Sequence, residues 1–307
     1  MPDRIAIIDM GSNTFHLLIA EWKDKRFHFI HQEKHAVKIA AGGINDGVIH
    51  EEAIVRATGT LKRFAQTIDK FQVKKVKAFA TSALRSARNQ QNIIQRFHDE
   101  TGIAVQIISG DQEADYIYQG VRSAISLGSE KSLIIDIGGG SVEFIIANKS
   151  GIFWMRSYDI GGQRLLEKFH KHDPILQSEI ETLNIFFTQT LQELQQELRV
   201  HDPKTLVGSS GSFDTLSEMY CVNHGLIYNS DDPETPLTFT SFNETYTQLI
   251  AKNRKERMEL AGMIDMRVDM IVVACCLIRF ILDHHNFNSI RVSSYSLKEG
   301  VLATLKK

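Results

Sequence analysis

Cysteine and proline are scarce in this chain, with three and five in 307 residues. Cys275 and Cys276 are neighbours in an apolar run, where a mutual disulfide would be strained, and Cys221 stands apart. No paired framework and no Cys-x-x-Cys metal spacing exists, which predicts reduced thiols in a cytoplasmic protein. Charge of one sign is lacking too. The formal net charge is −2, so no global field recruits nucleic acid, and an anionic ligand would need local cations. Long hydrophobic runs are also missing. The longest, MIVVACCLIRFIL from Met270, is interrupted by Arg279 and too short to span a bilayer, so it reads as a core helix and no membrane partner is expected. The first turn, at Asp9, comes too early for a secretory signal peptide.

What the chain does contain is a repeat. IIDMGSNTFHLLIA begins at Ile7 and IIDIGGGSVEFIIA at Ile134, and without gaps Asp9 matches Asp136, Gly11 matches Gly138 and Ala20 matches Ala147. Each copy reads as strand, Asp-x-Gly turn, strand, with an apolar run delivering a carboxylate to the turn. The offset holds through both strands, which predicts a duplicated half.

Residues 4 to 37 read as three strands, followed by a helix near 51 to 69, the strand VKAFAT and a helix from about Leu84 to Glu100. AVQIIS then reads as a strand and DQEADYIYQGVRSAI as a helix. From Lys131 the pattern restarts with three strands, then helices near 162 to 171 and 174 to 200. TLVG is a strand running into GSSGSFDTL, YNSDDPETP is a loop, and RMELAGMIDMRVDMIVVACCLIRFIL is a helix. SIRVSS and SLKEGVLATLKK close the chain as strand and helix. The expected fold is α/β, two domains of mixed sheet flanked by helices, divided as 1–125 and 126–307. The final helix, about 296–307, is expected to pack back on the first domain. The two hairpins should face each other across the interdomain cleft.

Three glycine-rich turns follow apolar strands: Gly11-Ser12-Asn13, Gly138-Gly139-Gly140-Ser141 and Gly208-Ser209-Ser210-Gly211-Ser212. Successive backbone N–H groups in such turns form anion nests, and hydroxyls add donors. Phosphate is the expected ligand. Asp9 and Asp136 at the strand ends suit Mg²⁺ between carboxylate and phosphate, with Glu143 two residues beyond Ser141 on the same strand face. Arg85 opens a helix after VKAFAT and can grip phosphate, although a surface arginine fits the same pattern. Glu113, in the first turn of the helix after AVQIIS, fits either a helix-dipole complement or a carboxylate holding a water.

DMGSNTFHL, ATSALRSARN, ISGDQEADYIYQGV, DIGGGSVEFI, the GSSGS turn, RVDMI and VSSYSLKEGV together resemble the motifs of the exopolyphosphatase/guanosine-pentaphosphatase family. That resemblance implies two actin-like, ribonuclease H-like domains of the actin/sugar-kinase/Hsp70 superfamily. It implies Mg²⁺-dependent removal of terminal phosphate from inorganic polyphosphate, or of the 5′ phosphate from guanosine pentaphosphate. By the same resemblance Glu113 is the catalytic glutamate, and Asp136, Glu143 and Asp9 are metal-associated. Asn13, Arg85, Ser141 and the neighbouring glycines become phosphate contacts. The chain departs from the family pattern at Gln112 and Asp115, where an acid and an arginine are usual, and at Lys38, where arginine is usual. Ending at Lys307, it resembles the short, two-domain members, and a homodimer is compatible with that form. A superfamily kinase or ATPase and a non-catalytic phosphate sensor remain the readings from other classes.

Overall fold

In the computed structural model, which describes residues 3–305, the first strand is buried on both faces. Ala6, Ile8 and Met10 enter one core and Ile5 and Ile7 another, as strand alternation requires. This strand is β1 (Asp3–Met10), followed by β2 (Thr14–Lys23), β3 (Arg26–Ala36), α1 (Glu51–Lys70) and β4 (Lys75–Ala80). Then come α2 (Ser82–Ser86), α3 (Gln90–Thr101), β5 (Val105–Ile107) and α4 (Gly110–Ala124). The sheet order is β3-β2-β1-β4-β5, antiparallel through the meander and parallel from β1 to β5.

The second half repeats the plan. It contains β6 (Ser132–Ile137), β7 (Val142–Asn148), β8 (Gly151–Tyr158), α5 (Gly162–Phe169), α6 (Gln177–Thr190) and α7 (Gln192–His201). Next are β9 (Thr205–Ser209), α8 (Gly211–Asn223), β10 (Glu234–Thr235) and α9 (Phe239–Ala251). The chain closes with α10 (Arg254–Met258), α11 (Met270–His284), β11 (Ser289–Ser293) and α12 (Leu297–Thr304). Its sheet order is β10-β11-β9-β6-β7-β8. Apart from the short β10, this is the first sheet again: a three-stranded meander whose first strand carries two parallel strands on its other side. The register repeats as well, since Asp9 pairs with His16 where Asp136 pairs with Glu143.

Each sheet has an outer core under its own helices, and a third core lies between the sheets. Ile7, Leu18, Ile134 and Ile145 meet there with Ile117 and Val121 of α4 and Val301 of α12. The two helices cross at backbone contact. A Cβ on Gly300 would stand 1.7 Å from the Tyr116 carbonyl oxygen, and one on Gly120 2.0 Å from that of Ser296. The final helix thus packs on α4 and β1, elements of the first half. Among the described residues no helix is long and apolar enough to cross a membrane.

Three expected helices are divided. The segment from Leu84 to Glu100 breaks at Ala87–Asn89 because Asn89 exchanges side-chain hydrogen bonds with both backbone groups of Ile49, at 2.8 and 3.2 Å. The 174 to 200 segment begins at Gln177 and bends at Leu191, keeping Phe187, Leu191, Leu194 and Leu198 buried in one core. The long C-terminal helix is α10 and α11 with turns between. There Gly262 takes φ +83°, and Arg257, buried, ties Asp173 to the carbonyls of Lys252 and Val268. The stretch 239–251, to which the sequence pattern assigned no element, is α9, capped by the Thr238 hydroxyl accepting from Ser241 N.

Candidate active site

The two duplicated turns are built alike. Gly11 N donates to Thr14 O at 3.1 Å and Gly138 N donates to Ser141 O at 3.0 Å. In the second turn the α5 N-terminus holds the carbonyls. Gly138 O accepts from Gly162 N (2.9 Å), Gly139 O from Gln163 N (2.8 Å) and Gly140 O from Arg164 Nε (2.9 Å). N–H and C=O of one trans peptide point in opposite directions. The N–H groups of Gly139, Gly140 and Ser141 therefore face away from α5, on the side where these residues line a cavity. In the first turn Ser12 O accepts from Ala40 N (3.0 Å) and Asn13 O from Val37 N (2.9 Å) and Lys38 N (2.8 Å). The N–H groups of Asn13 and Thr14 are turned by the same logic. Two anion nests result.

The turns meet at the base of the cleft. A Cβ on Gly140 would lie 2.4 Å from Ser12 Oγ and one on Gly139 3.1 Å from Ser12 Cβ, so glycine is what permits the approach. Arg164 spans the junction, donating also to Ile44 O (2.9 Å) and Ser86 Oγ (2.8 Å). Between the turns lies a cavity of about 110 Å³.

Of the expected residues, Asp9, Gly11, Ser12, Asn13, Glu113, Asp136, Gly138, Gly139, Gly140, Ser141, Ser210 and Gly211 line that cavity. Gly208, Ser209 and Ser212 lie outside its lining. Gly208 lies within β9, where a Cβ would collide with the Phe213 ring at 2.0 Å, and Ser209 and Ser212 are buried. Arg85 stands directly behind the lining residue Glu113: its Nη1 donates to Glu113 Oε2 (2.8 Å) and Ile108 O (3.1 Å). Glu143 is buried behind the lining and accepts from Ser157 Oγ at 2.6 Å.

Crowding of acids in a closed site sets the electrostatics. Burial pushes Glu113 up to about 7, and the Arg85 guanidinium partly opposes it. Burial and Glu113 push Asp9 up to about 7 as well. Asp136 is raised by burial, against hydroxyls of Ser210 and Ser296 that each donate to its Oδ2 at 2.6 Å. Glu143 is held well above the carboxylate range by burial and then by Glu113 and Asp136. Among the described residues no three metal-ligating side chains converge as a ready-made cage. The donor set nevertheless fits a hard divalent cation, which needs one or two carboxylates and completes its shell with water and phosphate oxygens. The Asp9 carboxylate accepts no hydrogen bond among the described residues, and the buried Asn13 Oδ1 has no partner.

The cavity also holds residues to which the sequence reading gave no role: His16, Lys34, Asp214, Arg267, Ser296 and Lys298. His16 was signalled, since it occupies in the first copy the place of Glu143 in the second. Arg267 and Lys298 lie inside RVDMI and SYSLKEGV, motifs singled out without assigning their cations. Burial keeps His16 well below its usual range and therefore neutral, and burial with Arg267 nearby lowers Lys34 to about 8.

Two mixed sheets of one ordering, with crossing helices between them and matched anion-binding turns at their junction, define a two-domain, actin-like α/β fold of the phosphate-transferring superfamily. Within it the chain belongs to the Ppx/GppA phosphatase family, whose model matches residues 18–307. A crystal structure of an exopolyphosphatase from Cytophaga hutchinsonii is similar with a TM-score of 0.96 and 46% identity, covering 98% of this chain and 97% of that one. The Aquifex aeolicus Ppx/GppA enzyme superposes with a TM-score of 0.81 and 26% identity, over 99% of this chain and 100% of its own. A Haemophilus influenzae protein carrying a provisional exopolyphosphatase name is 28% identical over 303 residues, 99% of this chain and 91% of the relative.

Proposed function

We propose that this protein hydrolyses the terminal phosphoanhydride bond of inorganic polyphosphate by direct attack of water. The observation that carries the reading is Glu113: a buried carboxylate with a pKa raised to about 7, in the same cavity as two anion nests. The nests bind the terminal phosphoryl group and accept its charge. Glu113, held by Arg85, orients the water and takes its proton. Lys34, Arg267 and Lys298 neutralise the departing chain. Asp9 and Asp136 are the residues that would hold Mg²⁺ or a similar cation, which supplies charge neutralisation on the transferred group. The cleft is assigned to two domains divided after Ile125, and Glu143 to a supporting place behind Asp136.

A guanosine 5′-polyphosphate is the second reading, favoured by the aromatic faces of Phe29, Tyr228 and Tyr295 beside the cavity. Phosphate release measured side by side from long polyphosphate, tripolyphosphate, guanosine pentaphosphate and ATP tests both. Release from polyphosphate is expected to be fastest. Tight binding without release would make the protein a sensor, and release from ATP alone would make it an ATPase.

A further inference from the structure

The catalytic cavity adjoins a larger one of about 500 Å³, and His16, Lys34, Asp214, Ser294 and Lys298 line both. Another margin of the cleft is bridged by direct bonds: Arg164 to Ile44 and Ser86, Ser82 to Asp159, and Gly42 N to Glu167. None of those residues lines the outer cavity, so a chain extending from the catalytic site has the outer cavity as its path.

That path changes character along its length. At the junction Asp214 is faced by Lys34, Arg267 and Lys298. The Lys34 ammonium forms no hydrogen bond or ion pair among the described residues and is available to an anion. Beyond it the wall becomes aromatic. A register shift between Ile19 and Ala20 brings Phe29 opposite Ala20, so Phe29 shares a face with Gln32 and Lys34 where unbroken alternation would have presented Ile30. Phe29 meets Tyr295 with ring centroids 5.6 Å apart. The remaining charges on this stretch are acids or are already paired. Glu33 is engaged by His31 and His35 at 2.8 and 3.1 Å, and Glu299 pairs with Lys298 at 2.7 Å. Asp231, exposed on the outer rim, has no ion pair among the described residues.

We propose that Lys34 is the last cation to grip a polyphosphate chain and that Asp231 repels the phosphates beyond it, so this cleft selects short chains. The inference rests on the polyphosphate reading. Each internal phosphate of the polymer carries a negative charge. Past Lys34 the described wall offers no further unpaired cation, and successive phosphates meet aromatic rings, the uncharged Gln32 and Ser230, and a carboxylate. Like charges set opposite one another oppose binding, and because Asp231 is exposed the penalty is screened by salt.

The test is kcat/KM on tripolyphosphate and on long-chain polyphosphate, at low and high ionic strength, for the unmodified protein, Asp231→Lys and Lys34→Met. The unmodified protein is expected to favour the short substrate, more strongly at low salt. Asp231→Lys is expected to raise the long-to-short ratio about tenfold at low salt, an effect that fades at high salt as a surface charge effect should. Lys34→Met is expected to raise KM for both chains. Matching thermal unfolding of the variants establishes that they fold. Equal efficiency on both chains, or an unchanged ratio in Asp231→Lys, overturns the inference alone. Release from neither chain by the unmodified, folded protein overturns the polyphosphate reading and this inference with it.

Discussion

Arg85 shows what a single side chain contributes and how far its role was legible. Its position after β4 pointed to the cleft, but nothing in ATSALRSARN says which way the guanidinium turns. It turns to Glu113, whose pKa it lowers against the larger effect of burial. Activity that needs ionised Glu113 should rise with pH through about 7. Arg85→Met removes the lowering contribution, so the acid limb of the kcat profile should move to higher pH while the alkaline side keeps substantial rate. A limb that stays in place would contradict this account of Arg85. Gly208 illustrates the opposite difficulty. In a string of glycine and serine it looks like loop, yet it lies in a strand and makes room for Phe213, a contact no local pattern encodes.

At the scale of elements, the turns depend on what lies behind them. Residues 161–164 hold the carbonyls of the second turn and residues 37–40 those of the first, and this converts two glycine-rich turns into directed sets of donors. Strands and turns were legible because both faces of β1 and β6 are apolar and the Asp-x-Gly motif comes directly after. Helix limits were less so, because Asn89 and Arg257 end or divide helices through bonds to segments remote in sequence. The α4–α12 crossing carries the next prediction. Gly300→Ala places a methyl group against the Tyr116 carbonyl, and it should cost at least about 2 kcal/mol in chemical denaturation, towards the upper end of overpacking effects. An unchanged denaturation midpoint would mean that the two helices are not held at backbone contact.

For the whole molecule, duplication is the feature the sequence displayed best: one offset accounts for the matched sheet orders, turns and register pairs. The positive side of the cleft was harder to read. A net charge of −2 conceals Lys34, Arg267 and Lys298, which gather from three distant stretches only on folding. The acids around them make a linkage prediction. Asp9 and Glu113 have folded pKa values of about 7 against ordinary values of 3.8 and 4.5, so the folded protein keeps protons that the unfolded chain has released. Their contribution to stability is therefore greatest below the unfolded values, falls as pH rises through this window and is level above about 7. A divalent cation bound between Asp9 and Asp136 would replace those protons. Adding Mg²⁺ to metal-free protein should raise Tm clearly at pH 8 and little at pH 5, and an equal rise at both would place the cation elsewhere.

The central claim is that Glu113 drives water attack on a phosphate held by the duplicated turns. Single-turnover phosphate release from polyphosphate, measured with Mg²⁺ at pH 8 for the unmodified protein and Glu113→Gln, tests it most directly. The swap preserves shape and removes charge and basicity, so the rate should fall by roughly 10²–10⁴-fold with polyphosphate binding retained. Near-normal turnover in Glu113→Gln would contradict the account.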